Sequence, residues 1–309
     1  MIEEEDVEKA GYQALEKAMC EIPNDFQIAI RQTYERETAE ARRVYDVLFE
    51  HIKRQKKKAL WICLDSGAIT FYVTVGTKAK IRSGLRFWEP LARATKALTS
   101  EGILRATAQD PITRYNPNTN IGENMPSLEF VMNPADCIEI TAVPKGGGGE
   151  VFGSEFRMLL PADGLPGIKK FVLDTATRSA KDGKICPPAV FGIGIGGTTA
   201  IAAKLATQAA VLRPIKSRNP IRRVAQLEDE LLSAINATGI GPSGHGGKIT
   251  ALDVHIEFSY GHSMALPVAI VPQCIVCHRA TATIYSDGSI SHSAYPKLWF
   301  KRPWTKLKT

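Results

Sequence analysis

Apolar positions recur at helical spacing over residues 5–20 and again over 26–58. In the second stretch Phe26, Ile28, Ile30, Tyr34, Ala39, Ala41, Val44, Val47, Leu48 and Ile52 recur at roughly helical spacing. Pro23-Asn24-Asp25 separates the two helices, and Asn24 or Asp25 can cap the second. Leu60–Cys63 and Ile69–Val75 are rich in aromatic and β-branched residues and read as strands. Gly84–Ser100 reads as helix, as do Ser154–Leu160 and Leu165–Lys181. Ala189–Ile195 is a strand running into Gly196-Gly197, followed by an apolar helix over Thr198–Leu212 and an amphipathic one over Val224–Ala237. Leu252–Phe258, Leu266–Ile275 and Thr281–Tyr285 read as strands, with a hairpin turn at Asp287-Gly288. This mixture predicts an α/β fold of mixed sheets flanked by helices, with a helical N-terminal segment and strands drawn from both halves of the chain.

Residues 105–127 interrupt the pattern. They are polar, rich in proline and asparagine, and offer little to a core. A long irregular loop in a compact domain is uncommon and often functional. Strand-like sequence resumes at Leu128 and at Ile138, which argues against a disordered linker.

Composition narrows the classes. At 309 residues and 44% hydrophobic, the chain can bury a large core. No run of about 18 apolar residues is present, so no membrane span is expected. The acidic start MIEEEDVEKA lacks the basic-then-apolar order of a signal peptide, which makes the cytoplasm the expected location. The net charge of +7 is concentrated in Lys53–Lys58 and in the tail from Lys297 to Lys308. Such basic runs need aromatic platforms or a binding motif to become specific for nucleic acid, and no nucleic-acid-binding motif is present. They read as a solvated helix end and a basic tail, in a positive field that suits an anionic substrate.

Three glycine-rich segments occur: Lys145-Gly146-Gly147-Gly148-Gly149, Gly192-Ile-Gly-Ile-Gly-Gly197 and Gly239–Gly247. The second joins a strand to a helix, but its spacing is G-x-G-x-G-G and no acidic residue follows at the distance that dinucleotide binding requires. The P-loop lysine is also missing. The other two carry Lys145 and His245, which favours a carboxylate or cofactor pocket over simple turns.

Six cysteines are too few for a disulfide scaffold in a chain of this length. Cys20 and Cys137 lie on a helix and beside a strand and read as structural. Cys274-Ile-Val-Cys277-His278 has the c-type haem spacing, but haem attachment of that kind takes place outside the cytoplasm. As the continuation of a strand, the segment should turn Cys274 and Cys277 to opposite faces, which also weakens a zinc knuckle. Cys63 is followed by Leu64-Asp65-Ser66-Gly67, and Cys186 by Pro187-Pro188. A cysteine at a strand edge beside such a turn can project into a cleft. Three such thiolates can hold three irons of a [4Fe–4S] cluster. The residues alone leave that option open beside buried structural thiols.

An ordered series of motifs goes further. Ile62-Cys63-Leu64-Asp65-Ser66-Gly67 is followed by Leu104-Arg105, Asp110-Pro111 and Asn120-Ile-Gly-Glu-Asn124-Met-Pro126. Then come Lys145-Gly146-Gly147-Gly148, Cys186-Pro187-Pro188 and Gly192–Gly197, and Gly239-Ile-Gly-Pro242 with Gly244, Gly246 and Gly247. His255-Ile-Glu257, His262, Leu266-Pro267-Val268 and Cys274 close it. The series resembles the class I (iron–sulfur) fumarate hydratase and L-tartrate dehydratase α-subunit family, from about residue 10 to 290.

The resemblance implies one iron–sulfur hydro-lyase α domain over 1–290, built as one body or as two lobes around the cluster, and a basic tail over 291–309. It implies a [4Fe–4S] cluster on Cys63, Cys186 and Cys274, whose open iron acts as a Lewis acid in dehydrating a 2-hydroxy-dicarboxylic acid. Arg105 would bind a substrate carboxylate, Asp65 would orient proton transfer, and Lys145, Gly146 and Gly147 would give backbone contacts. His255 and His262 read as core or supporting groups rather than bases. The likeness also implies a β subunit carrying the remaining catalytic groups, in an α2β2 assembly.

The chain departs from the family at the expected substrate site. Leu64 replaces glutamine, Thr107 stands where asparagine is usual, Gly149 and Val151 replace a serine and an asparagine, and residues 116–119 form an insertion. Two readings follow: a different hydroxy-acid substrate, or a paralogue that keeps the fold as a binding or scaffolding subunit.

Overall fold

Two separate sheets carry the chain. The computed structural model describes residues 1–58 and 61–301, and of 55–58 the backbone alone. The helices are α1 (Glu4–Cys20), α2 (Asn24–Arg36), α3 (Ala39–Lys58), α4 (Trp88–Ser100), α5 (Gly164–Lys181), α6 (Thr199–Leu212) and α7 (Arg222–Asn236). The strands are β1 (Ala68–Gly76), β2 (Ser127–Asn133), β3 (Cys137–Lys145), β4 (Glu155–Leu159), β5 (Ala189–Gly196), β6 (Ala251–Ser259), β7 (Leu266–Gln273), β8 (Ala280–Tyr285) and β9 (Ile290–Ser293). Two units result, the first from Met1–Pro23, Ile52–Gly146 and His278–Thr309, the second from Asn24–His51 and Gly147–Cys277. The α/β class expected from the sequence is the class observed.

In the first unit the sheet runs β2-β1-β3-β8-β9, with β1 and β2 parallel and the other pairings antiparallel. Helix α1 begins with Glu4, Glu5 and Asp6, which complement the positive end of its dipole. It buries Val7, Ala10, Ala14, Leu15 and Met19 against β3, β8 and α4. The segment after β9 is packed too: Glu139 is buried on β3 and accepts backbone N–H groups from Lys297 (3.2 Å) and Leu298 (2.9 Å). Trp299 stacks edge-on to Tyr72 with centroids 5.1 Å apart. Packing therefore continues well past residue 290; the basic residues from 302 onward, and the side chains of Lys56–Lys58, lie outside the described residues.

In the second unit the order is β4-β7-β5-β6, with β5 parallel to β6 and antiparallel to β7. Helix α6 lies on Gly192 and Gly194 so closely that a Cβ at either would overlap carbonyls of Ala206 and Ala202. Gly192 and Gly194 thus serve helix-on-strand packing. On the opposite face Phe191 and Ile193 join Phe171, Val172, Leu231 and Ile235 in the core.

Four expectations are corrected. The helix expected over 26–58 is two, because Glu37 is buried and its carboxylate accepts the backbone N–H groups of Lys248 (2.8 Å) and Ile249 (2.7 Å). Thr38 then caps α3 through the N–H of Ala41 (3.2 Å). Ser154–Leu160 is not a helix but contains β4: Arg157 and Leu159 face α5 while Phe156 and Met158 face away, a period of two. The strand expected over Leu60–Cys63 is absent from Trp61 onward, Leu60 being outside the described residues, so Cys63 sits in a bend ahead of β1. Strand β7 ends at Gln273, so Cys274 lies beyond the strand rather than within it. Among the described residues no helix is long and apolar enough to cross a membrane.

Candidate active site

In the first unit the motif Asp65-Ser66-Gly67 is a tight turn. Asp65 Oδ1 accepts the N–H of Gly67 at 3.1 Å, and Gly67 has φ +57°. Only glycine fits here, since a Cβ would overlap the backbone carbonyl of Lys145. The turn therefore lies flat against the end of β3, and Gly146 approaches so closely that a Cβ on it would stand 3.0 Å from Asp65 Oδ2. Asp65, Lys145 and Gly146 are brought together by this contact.

Arg105 is fixed by its backbone. Its N–H donates to the buried Ser66 hydroxyl at 2.7 Å, and its carbonyl accepts the side-chain amide of Asn120 at 2.9 Å. Asn120 is buried at φ +56°, and its Oδ1 also accepts the N–H groups of Thr107 (2.8 Å) and Ala108 (3.1 Å). The Thr107 hydroxyl donates to the Gly67 carbonyl at 2.7 Å. The polar loop is thus tied to the aspartate turn, while the Arg105 side chain remains exposed. Thr107 acts as a fastening between loop and turn.

His278 lies just ahead of β8 in the same unit. Its Nδ1 is 2.9 Å from the Ala18 carbonyl, and its Nε2 has no hydrogen-bond partner among the described residues. Burial pushes the imidazole below its ordinary value, against the opposing pull of the Ala18 carbonyl and the Asp65 carboxylate.

In the second unit Cys186 and Cys274 are neighbours. The backbone N–H of Cys186 donates to Cys274 Sγ at 3.5 Å, and the N–H of Ile275 returns to the Cys186 carbonyl at 3.0 Å. Gly147 leads into a single π-helical turn over Gly148–Phe152, where a Cβ on Gly148 would stand 3.4 Å from Cys274 Sγ. Among the described residues of either unit, no three His, Cys, Asp or Glu side chains converge as a metal site, so the second unit by itself offers a pair of thiols.

Exposure sorts the cysteines. Cys186 is exposed and Cys63 and Cys274 partly so, whereas Cys20, Cys137 and Cys277 are buried. Burial raises the Cys20 thiol to about 11 and pushes Cys137 upward as well. Strand alternation does not separate Cys274 from Cys277, since neither is in a strand; burial does, Cys277 being only 1% exposed. His255 is fully buried and satisfied, with Asp253 at 3.0 Å and the Ala209 carbonyl at 3.1 Å, which fits a supporting role. His262 is exposed, and its Nδ1 accepts the N–H of Met264 at 3.1 Å.

Residues 8–283 match the model of the fumarate hydratase (Fumerase) family. The chain belongs to that family. A putative L(+)-tartrate dehydratase subunit alpha from Methanocaldococcus jannaschii is 39% identical over 277 residues, covering 89% of this chain and 96% of the relative. L(+)-tartrate dehydratase subunit alpha from Escherichia coli strain UTI89 is 30% identical over 277 residues, 88% of this chain and 89% of the relative. The K12 counterpart is 29% identical over 276 residues. The family description and these names denote hydro-lyases, the enzyme class the motifs had implied.

Against that background the departures have definite places. Leu64 is exposed beside Asp65, and Val151 is exposed in the turn that follows Gly148. Reasoning from sequence missed Ser66, Asn120 and His278. Asn120 lay inside a recognised motif, and an asparagine in a polar loop is a common occupant of positive φ. Ser66 and His278 also lay inside recognised patterns, but their hydrogen-bond partners are 39 and 260 residues away, which no local pattern discloses.

Proposed function

We propose that the chain is the α-type subunit of an iron–sulfur hydro-lyase that reversibly removes water from a 2-hydroxy-dicarboxylate of the malate or tartrate kind. The observation that carries this is the accessible Cys186/Cys274 pair beside the Gly148 turn, in a chain of the fumarate hydratase family. Thiolates are the usual ligands of iron–sulfur clusters, so the donor chemistry fits. We assign Cys63, Cys186 and Cys274 as ligands of a [4Fe–4S] cluster; their exposure, against the burial of the other three cysteines, supports the choice. When bound, such a cluster offers an open iron as Lewis acid to the substrate hydroxyl and a carboxylate oxygen. A reducing cytoplasm suits accessible thiols of this kind.

The chain's own residues then bind and orient. The Arg105 guanidinium grips a carboxylate in a two-pronged fork, from a backbone pinned by Ser66 and Asn120. Asp65 accepts the Gly67 N–H through Oδ1, and its carboxylate, held in place by that turn, orients a proton in transit. Lys145, Gly146 and Gly147 supply backbone contacts to the substrate. The base that takes the proton belongs to a β-type subunit, in an α2β2 assembly.

The test is anaerobic reconstitution with ferrous iron and sulfide, followed by iron analysis and EPR. Brown, oxygen-sensitive protein is expected. Serine at Cys63, Cys186 or Cys274 should abolish the signal, and serine at Cys20, Cys137 or Cys277 should leave it. A cluster that survives replacement of all three proposed ligands would overturn the assignment. A second reading rests on Leu64, exposed where the family has a hydrogen-bonding glutamine: a substrate with an apolar substituent, or a paralogue kept as a binding subunit. Leu64→Gln with raised activity on malate or tartrate would favour altered substrate, and no turnover in either form would favour the binding role.

A further inference from the structure

Strand β4 is an edge of the second sheet, paired on one side with β7 and on the other with nothing among the described residues. Its two faces are treated differently. Glu155 bonds to Thr175 and Arg178 of α5, the Arg157 guanidinium sits 4.9 Å above the Phe171 ring, and Leu159 is buried with Ile168. The other face carries Phe156 and Met158, with Leu160 in phase just past the strand, and these are between 40% and 66% exposed. Phe156 pairs with Ala269, which pairs with Gly194, the residue on which α6 lies. The exposed row is therefore the part of the α6 side of the sheet that α6 does not cover. Val151 and Phe152 in the preceding turn and Leu165 at the start of α5 are exposed as well.

Soluble proteins guard edge strands with charge, proline or a cover. Here the charged residues of β4 point toward α5 and apolar ones point out. Phe156, Met158, Leu160, Val151 and Phe152 at roughly 100 Å² each make about 500 Å², within the range of the largest and often functional patches on monomers, and a substantial part of the ~800 Å² per partner of a stable interface. The strip is also continuous in sequence with the thiol pair, because the turn bearing Val151 and Phe152 begins at Gly148, beside Cys274. A chain seated on it would approach the exposed Cys186 and the partly exposed Cys274. The relatives that match nearly end to end are named alpha subunits, which points to a complementary chain rather than a second copy.

We propose that the outer face of β4, with Phe156, Met158 and Leu160 at its centre and the Val151-Phe152 turn at its end, is the surface on which the complementary hydro-lyase subunit docks beside the thiol pair. This rests on the α-subunit reading above.

The test co-expresses the chain with the β-type hydratase subunit of the same genome and measures association by analytical ultracentrifugation and calorimetry. Phe156→Lys with Met158→Lys should weaken binding at least tenfold while leaving circular dichroism and the melting temperature of the isolated chain unchanged. Leu160→Lys alone should weaken it less, and Met132→Lys, at an exposed apolar site on the edge strand of the other sheet, should leave it intact. A complex that forms and tolerates the double substitution overturns the surface and leaves the subunit reading standing. Self-association of the isolated chain, abolished by the same pair, would assign the strip to a second copy and overturn it. Full hydratase activity of the chain alone, with no complex, would sink the subunit reading and the docking surface with it.

Discussion

The two units hold their loops by opposite means. In the first, the aspartate turn and the Arg105 loop are joined by neutral groups: the Ser66 and Thr107 hydroxyls and the Asn120 amide. In the second, the loop after α6 is joined to β6 by buried charge. Arg213 Nη1 donates to Glu228 Oε1 at 2.6 Å, and Glu228 also accepts the N–H groups of Ile256 (2.8 Å) and Asn219 (2.9 Å). Asp253 accepts from Arg218 (2.8 Å), His255 (3.0 Å) and the N–H of Lys216 (2.5 Å). Burial pushes the Asp253 carboxyl up, but His255, Arg218 and the Lys216 N–H together hold it below the usual range. Neutral ties position the Arg105 loop without adding a further fixed charge to its field. Charged ties suit a loop that has only to stay closed, and each partner becomes costly to lose.

That contrast is tested most severely at Arg213. Arg213→Met leaves Glu228 buried without its cation, and a loss of about 3–5 kcal/mol in urea unfolding is expected. Adding Glu228→Leu should recover only part of this, because the N–H groups of Asn219 and Ile256 are then orphaned at about 1–3 kcal/mol each. Complete recovery in the double variant would show that the charge pair, and not the backbone it organises, fastens the loop.

The neutral side should break more gently and in a different observable. Asn120→Ala removes an acceptor used by two backbone N–H groups and a donor to the Arg105 carbonyl. A loss of about 2 kcal/mol is expected, with Ser66→Ala nearer 1 kcal/mol. In an assembled, cluster-loaded enzyme both should raise KM for the dicarboxylate more than they lower kcat, since Arg105 loses its register and not its charge. An unchanged KM in Asn120→Ala would dissociate the loop from substrate binding.

Much of this was legible in the sequence where the signal is local. Helix α6 follows from an apolar run that Thr198 caps through the N–H of Ile201, and the β8–β9 hairpin from Asp287-Gly288. The ordered motifs disclosed the family, and with it the residues worth locating. What could not be read depends on partners far along the chain. The break at Glu37 exists because residues 248 and 249 need an acceptor, and periodicity alone carried the helix through it. The split of Cys274 from Cys277 was expected for the wrong reason, since burial after the strand end decides it. In Ser154–Leu160 the polar–apolar alternation is present, but a five-residue strand gives too short a signal to exclude a helix.

The smallest predicted effect concerns His278, the one group in the first unit's site whose burial makes it acid-sensitive. Its folded value is depressed below the ordinary 6.5, so the unfolded chain binds a proton at higher pH than the folded one. Its share of stability is complete above pH 6.5 and is lost as pH falls from there through the folded value, at no more than about 1.4 kcal/mol per pH unit. Asp253, also depressed, acts in the same direction but only below its ordinary 3.8. The two windows are therefore separable. Melting temperatures between pH 7.5 and 5 should fall in the native chain and much less in His278→Gln, while below pH 4 both should fall alike. Equal slopes between pH 7.5 and 5 would mean that His278 finds a proton acceptor when folded, and that its Nε2 faces a polar group after all.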